Sequence, residues 1–224
     1  GSGAAAAASL AAGTVGTETN GSIICPSNAS GIVGFKPTVG VVSQDYIIPI
    51  SSSQDTAGPM TKSVMGSAMM LNAMATGAAK TDYVAALDAD SLSGQRIGVL
   101  RFAQGESADI QTRFNAALEI LEAQGATLVE IESFSPDAEN YFGNAFDVLQ
   151  YEFKHTLNEY LASTPDAVTT RTLAELIAFN KDSADVELAL FDQSIFDLSE
   201  AKGPITDEAY LTALETIQTA SREN

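Results

Sequence analysis

Gly16-Thr17-Glu18-Thr19-Asn20-Gly21-Ser22-Ile23-Ile24-Cys25-Pro26 is the stretch around which the rest of the chain is read. The β-branched run Thr14–Thr19 reads as a short buried strand. A loop of small residues follows and ends on one serine. Beyond it, Ser22–Ser30 reads as a short helix, in which Pro26 is tolerable only in the first turn. Glycines in such a loop let consecutive backbone N–H groups turn toward one point, and a helix starting at Ser22 would add its positive end there. That arrangement suits an oxyanion, so the local reading is acyl transfer with Ser22 as nucleophile. Taken alone, a serine after a glycine is more often a helix cap or a turn residue.

Working outward, Ser2–Ala12 is alanine-rich and reads as a helix stopped by Gly13. Gly31–Phe35 is strand-like. Residues 38–60 look irregular, with Ser51–Ser53 clustered and Pro49 and Pro59 as breakers. Lys62–Ala75 places Val64, Ala68, Leu71 and Ala75 at helical spacing, with Met65, Met69 and Met70 beside them as core filling. Residues 76–95 read as a linker. Arg96–Phe102 is a strand, Asp109–Ala123 an amphipathic helix closed by Gly125, and Thr127–Ile131 a second strand. This is one βαβ unit, with a right-handed crossover expected. After Pro136 the pattern turns helical. Asp137–Ala162 carries Tyr141, Phe142, Phe146, Leu149, Phe153, Leu157 and Leu161 at three- and four-residue steps. A shorter helix spans Arg171–Asn180, Gly203-Pro204 breaks the chain, and Thr206 caps a last helix through Leu211, Leu214 and Ile217. No internal repeat is found.

The 224 residues suffice for a sizeable core, and 45% of them are hydrophobic, which excludes a disordered chain. The formal net charge is −18. Residues 1–80 hold three acids (Glu18, Asp45, Asp55) and three bases (Lys36, Lys62, Lys80), so the other 26 acids and eight bases fall in 81–224. A near-neutral core segment wrapped by an acidic solvated surface is the reading. No basic footprint for a phosphate backbone exists, so nucleic acid is not an expected partner. No run approaches the roughly 18 apolar residues of a membrane helix. A single cysteine excludes an intrachain disulfide framework. One histidine and one cysteine give no metal set, and no calcium-loop spacing occurs, so no metal or cofactor is expected.

Three stretches together resemble the amidase signature family: G-T-E-T-N-G-S-I-I-C-P at 16–26, G-I-V-G-F-K-P-T-V-G at 31–40 and D-T-A-G-P-M-T-K-S-V at 55–64. Gly1-Ser2-Gly3-Ala4 fits the tail of that family's Gly/Ser-rich segment. Phe191-Asp192-Gln193 and Ser221-Arg222-Glu223 stand in family-like places. The resemblance implies an α/β fold, layered α/β/α with a mixed β-sheet covered by helices. On that reading the chain is one domain fragment: 1–80 is the signature core with the nucleophile loop, and 81–224 the βαβ unit and acidic helical cover. It implies hydrolysis of linear carboxylic amides through a Ser–cis-Ser–Lys triad, with a small-molecule amide as substrate. Ser22 matches the nucleophile. The N–H groups of Thr19, Asn20, Gly21 and Ser22 match the oxyanion hole. The second serine is expected just ahead of Gly1 and the lysine further upstream. The chain is therefore expected to be an internal piece of a longer enzyme and inactive by itself. A cytoplasmic location is the default; oligomeric state is not assigned.

Two positions depart from the family pattern. Asn20 stands where glycine is most frequent; if φ > 0 is needed there, asparagine is the least costly substitute. Ile24 stands where many relatives have arginine. Other chemistries fit less well. Lys36 lies in the G-F-K-P-T motif and not at the lysine position of the triad, so a structural contact is expected of it. His155 reads as a half-buried helix residue, and no G-x-S-x-G elbow surrounds Ser22. Cys25 has no histidine near it in sequence. Two further readings stay open: a non-catalytic binding or scaffold module derived from an amidase, and a glutaminase-type amidotransferase subunit.

Overall fold

A computed structural model describes residues 1–87, 89–135 and 138–222. Pro136 and Asp137, where the helical half was expected to open, and Glu223-Asn224 lie outside the described residues. The chain divides into two compact units, Gly1–Thr81 with Ala138–Asn224, and Asp82–Asp137.

In the first unit the alanine run forms α1 (Ser2–Ala7) only. The expected helix to Ala12 stops short because Ser9 takes φ +59° and the chain turns to enter β1 (Gly13–Glu18). Gly3 of α1 faces the Met60 methyl and the Pro26 carbonyl, where an added Cβ would come within 3.0 and 3.2 Å. The next elements are α2 (Ile24–Ala29), β2 (Val33–Gly34) and β3 (Thr56–Thr61). The strand order is β1-β3-β2, antiparallel throughout, with Gly13 opposite Thr61 and Glu18 opposite Thr56.

β3 lies in the stretch expected to be irregular, and it is the central strand, buried along its whole length. Pro59 is tolerated because of where its missing donor falls. Its carbonyl accepts from Phe35 N (3.0 Å) on the β2 side, where β2 has already ended. Gly58 permits close approach, since a Cβ there would stand 2.1 Å from the Phe35 carbonyl oxygen. α3 (Val64–Met74) is capped by the Ser63 hydroxyl, which accepts from Gly66 N. It buries Ala68 and Leu71, while Met65 and Met69 face solvent rather than the core.

The helical part of this unit is built on α5 (Tyr141–Ala162), with α6 (Leu173–Asp182), α7 (Ala184–Glu187), α8 (Ser194–Glu200) and α9 (Glu208–Arg222). One cluster, Val148, Tyr151, Tyr210, Ala213 and Ile217, joins α5 to α9. A second, Phe153, Leu157, Leu173 and Ile177, joins α5 to α6. Phe142 and Phe191 are 80% and 81% exposed.

The second unit holds β4 (Arg96–Leu100), α4 (Ala108–Ala123) and β5 (Thr127–Ile131). β4 and β5 pair in parallel, Arg96 with Thr127 through Leu100 with Ile131. The helix ends where Gly125 takes φ +92°. The fold is thus α/β, with one antiparallel sheet in the first unit and a parallel pair in the second.

Candidate active site

β1 delivers the chain into a loop at 19–23. Glu18, at the strand's end, is buried, and its Oε2 accepts from Ile23 N (2.8 Å) and Ile24 N (2.9 Å). One carboxylate oxygen therefore takes two of the donors that open α2. The expected helix at Ser22 begins two residues later and is six residues long. Its positive end already faces Glu18, so the macrodipole does not serve Ser22. Ile23, fully buried, plugs the loop into the core.

The loop is braced from two further sides. Thr19 Oγ1 donates to Asp55 Oδ1 at 2.6 Å, and Asp55 Oδ2 accepts from Ile50 N (2.7 Å) and Ser51 N (2.8 Å). Lys36 Nζ donates to the Thr19 carbonyl at 2.7 Å, so this lysine makes a loop contact and has no bond to Ser22. Because the peptide unit is planar and trans, holding the Thr19 carbonyl on Lys36 aims the Asn20 N–H the opposite way. The Gly21 carbonyl likewise accepts from Cys25 N (2.8 Å), which turns the Ser22 N–H away from α2. Among the described residues, the N–H groups of Thr19, Asn20, Gly21 and Ser22 have no internal acceptor. The left-handed position is Gly21, at φ +138°; Asn20 is not among the positive-φ residues, so its substitution for glycine carries no backbone strain.

Ser22 itself is exposed. It lines one concavity with Thr17, Glu18 and Thr19, opposite Gln44, Ile47, Ile48, Ile50 and Asp55. A hydroxyl on an open surface beside unpaired main-chain donors can add to a carbonyl and have the resulting oxyanion received at once. Cys25 is exposed and free, one helix turn on. His155 lies half-exposed on α5, paired with Glu159 at 3.4 Å. Sequence reasoning singled out Ser22 and the four amides but not Glu18 or Asp55. Their signal was the scarcity of acids: residues 1–80 hold only three, and two of them brace this loop.

The family model "Amidase" matches residues 1–223. The peptide amidase of Stenotrophomonas maltophilia superposes with a TM-score of 0.88 at 38% identity, over 97% of this chain and 46% of that one. An amidase family protein of Bacillus anthracis superposes with a TM-score of 0.86 at 30% identity, over 99% of this chain and 45% of that one. A glutamyl-tRNA(Gln) amidotransferase subunit of Acinetobacter baumannii is 43% identical over 144 residues, 59% of this chain and 29% of that protein. The chain thus spans under half the length of the solved structures it matches.

Proposed function

This chain belongs to the amidase family, and on that premise we propose that it supplies the serine of an amide-hydrolysing site. Ser22 Oγ forms a bond to the amide carbon, and the carbonyl π pair moves onto oxygen. The N–H groups of Thr19, Asn20, Gly21 and Ser22 receive that oxyanion. The hydroxyl proton leaves to a base. When the oxyanion collapses, the C–N bond breaks, the amine departs with a proton, and an ester to Ser22 remains. Water then repeats the addition and frees the acid. The observation that carries this reading is the exposed Ser22 beside four main-chain donors with no internal acceptor. Such donors are each worth about 10²–10³ in kcat.

The serine and lysine that the family resemblance assigns to the proton relay match no residue of this sequence. Lys36 is held on the Thr19 carbonyl and is not proposed as base. The chain by itself is therefore proposed to be inactive, by several orders of magnitude, with only the oxyanion site retained. Ile47, Ile48 and Ile50 favour an apolar group beside the reacting carbonyl.

A fluorophosphonate probe tests the reading. It is applied to this chain and to a polypeptide extended upstream with the serine and lysine of the triad. Labelling at Ser22 in the extended form, lost in Ser22→Ala, is expected. No labelling in either form favours a non-catalytic module. The similarity to an amidotransferase subunit favours a second reading, glutamine hydrolysis. Ammonia release from free glutamine by the extended form, exceeding that from a peptide amide, would support it.

A further inference from the structure

Glu152, in the middle of α5, is 2% exposed. Among the described residues no lysine, arginine or histidine pairs with it. Four neutral donors meet it instead. Oε2 accepts from Ser51 Oγ (2.5 Å), Ser53 N (3.0 Å) and Ser53 Oγ (3.0 Å), and Oε1 from Tyr210 Oη of α9 (2.8 Å). Burying a carboxylate without a cation is costly, and an apolar residue of that size would hold α5 to α9 at no such cost. What an apolar residue would not do is fix the conformation of one loop.

The loop it fixes is a wall of the Ser22 concavity. Ser51 N and Ile50 N both donate to Asp55 Oδ2, the Ser51 carbonyl accepts from Gln54 N and Asp55 N, and Asp55 Oδ1 takes the hydroxyl of Thr19. An unbroken run of hydrogen bonds therefore leads from Tyr210 through Glu152 and Ser51 to Asp55 and on to the first residue of the donor ring. Ser51 is fully buried and Thr19 and Asp55 nearly so, which keeps water from substituting for any link. We propose that Glu152, oriented by Tyr210, is a positioning residue for the nucleophile loop. It holds loop 50–55, and through Asp55 it sets the place of Thr19 and the amides that follow. The catalytic consequence rests on the reading of Ser22 as nucleophile; the mechanical one does not.

Two measurements separate these. In this chain, amide exchange and amide resonances are followed by NMR in Tyr210→Phe and Glu152→Gln. Ile50 and Ser51 are expected to lose about tenfold or more of their exchange protection. The resonances of residues 19–22 are expected to move while Met60 in β3 keeps its protection. Unchanged Ile50, Ser51 and 19–22 overturn the proposal. In the extended form, the limiting labelling rate at Ser22 is expected to fall about tenfold with the reversible affinity for the probe held, because displaced donors act on the developing oxyanion. An unchanged rate overturns the catalytic half. A wild-type form that does not label rejects the hydrolase reading instead, and the amide data still decide whether Glu152 holds the loop. If Glu152→Gln fails to fold, Tyr210→Phe, which deletes one oxygen, carries both measurements.

Discussion

Glu18 shows what one side chain does for this site. Its Oε2 holds the N–H groups of Ile23 and Ile24, so the turn after Ser22 is tied to the end of β1. Removing it leaves two donors, one of them buried, without an acceptor. Glu18→Ala is expected to destabilise the chain by about 3 kcal/mol, and Glu18→Gln, which keeps an accepting oxygen, by about 1 kcal/mol. Urea midpoints at neutral pH check both, and equal midpoints for Glu18→Ala and wild type would refute this account. Tyr210 gives a pH signature. Burial first, then the hydrogen bond to Glu152 and its negative charge, push its phenol well above the ordinary range. A raised folded-state value contributes stability that is complete below the unfolded value of about 10 and is lost as pH rises toward the folded one, by at most about 1.4 kcal/mol per pH unit. Alkaline denaturation profiles of wild type and Tyr210→Phe are expected to differ by this slope above that point and to run parallel below it. The loop between β1 and α2 that carries Ser22 was legible because glycine and small residues mark a loop by their own conformational range. Glu18 and Asp55 were not, because an acceptor 5 or 36 residues from its donor becomes one only when the sheet closes.

Among the elements, β3 departs most from its sequence. Thr56-Ala57-Gly58-Pro59-Met60-Thr61 holds a glycine and a proline side by side, which locally signal a turn. Only its neighbours make it a strand: β1 pairs along its whole length, and β2 stops before its ladder would call on the N–H that Pro59 lacks. Gly58 is where the packing is tightest. An added Cβ would meet the Phe35 carbonyl oxygen at 2.1 Å, Pro37 Cδ at 2.9 Å and Ile23 Cδ1 at 3.0 Å. Backbone cannot yield as a side chain does, and Ile23 is the plug beneath Ser22. Gly58→Ala is expected to cost about 3 kcal/mol or more, and in the extended form to slow labelling at Ser22. Wild-type stability in a chemical denaturation series would show that the strands are not packed this closely. The βαβ unit was legible because its strands and helix each carry their own period. α8 was missed because seven residues hold less than two full apolar repeats, and its partners Phe153 and Lys154 lie far off in sequence.

At the scale of the whole chain, charge dominates. With 29 acids and 11 bases, pairing every base would still leave 18 carboxylates without a partner. The pairs that do form are mostly on the surface, such as Lys181 with Asp197 at 3.4 Å and Arg101 with Glu130 at 3.2 Å. Exposed pairs of this kind contribute about 0–1 kcal/mol each, and salt weakens them. Repulsion among the unpaired carboxylates acts over a longer range and is screened as well, because the Debye length shortens from about 30 Å at 0.01 M to about 3 Å at 1 M. The two effects have opposite signs, and the excess of acids decides between them: screening removes more repulsion than attraction. Raising sodium chloride from about 0.01 M to about 0.5 M is expected to stabilise the chain by about 1 kcal/mol, a rise in Tm of about 3 °C. Potassium chloride should act alike, since the effect is ionic strength and not cation binding. Differential scanning calorimetry over that series decides it. A falling midpoint would mean that the few ion pairs outweigh the net charge, and the acidic surface would then be an organised network rather than a solvated one.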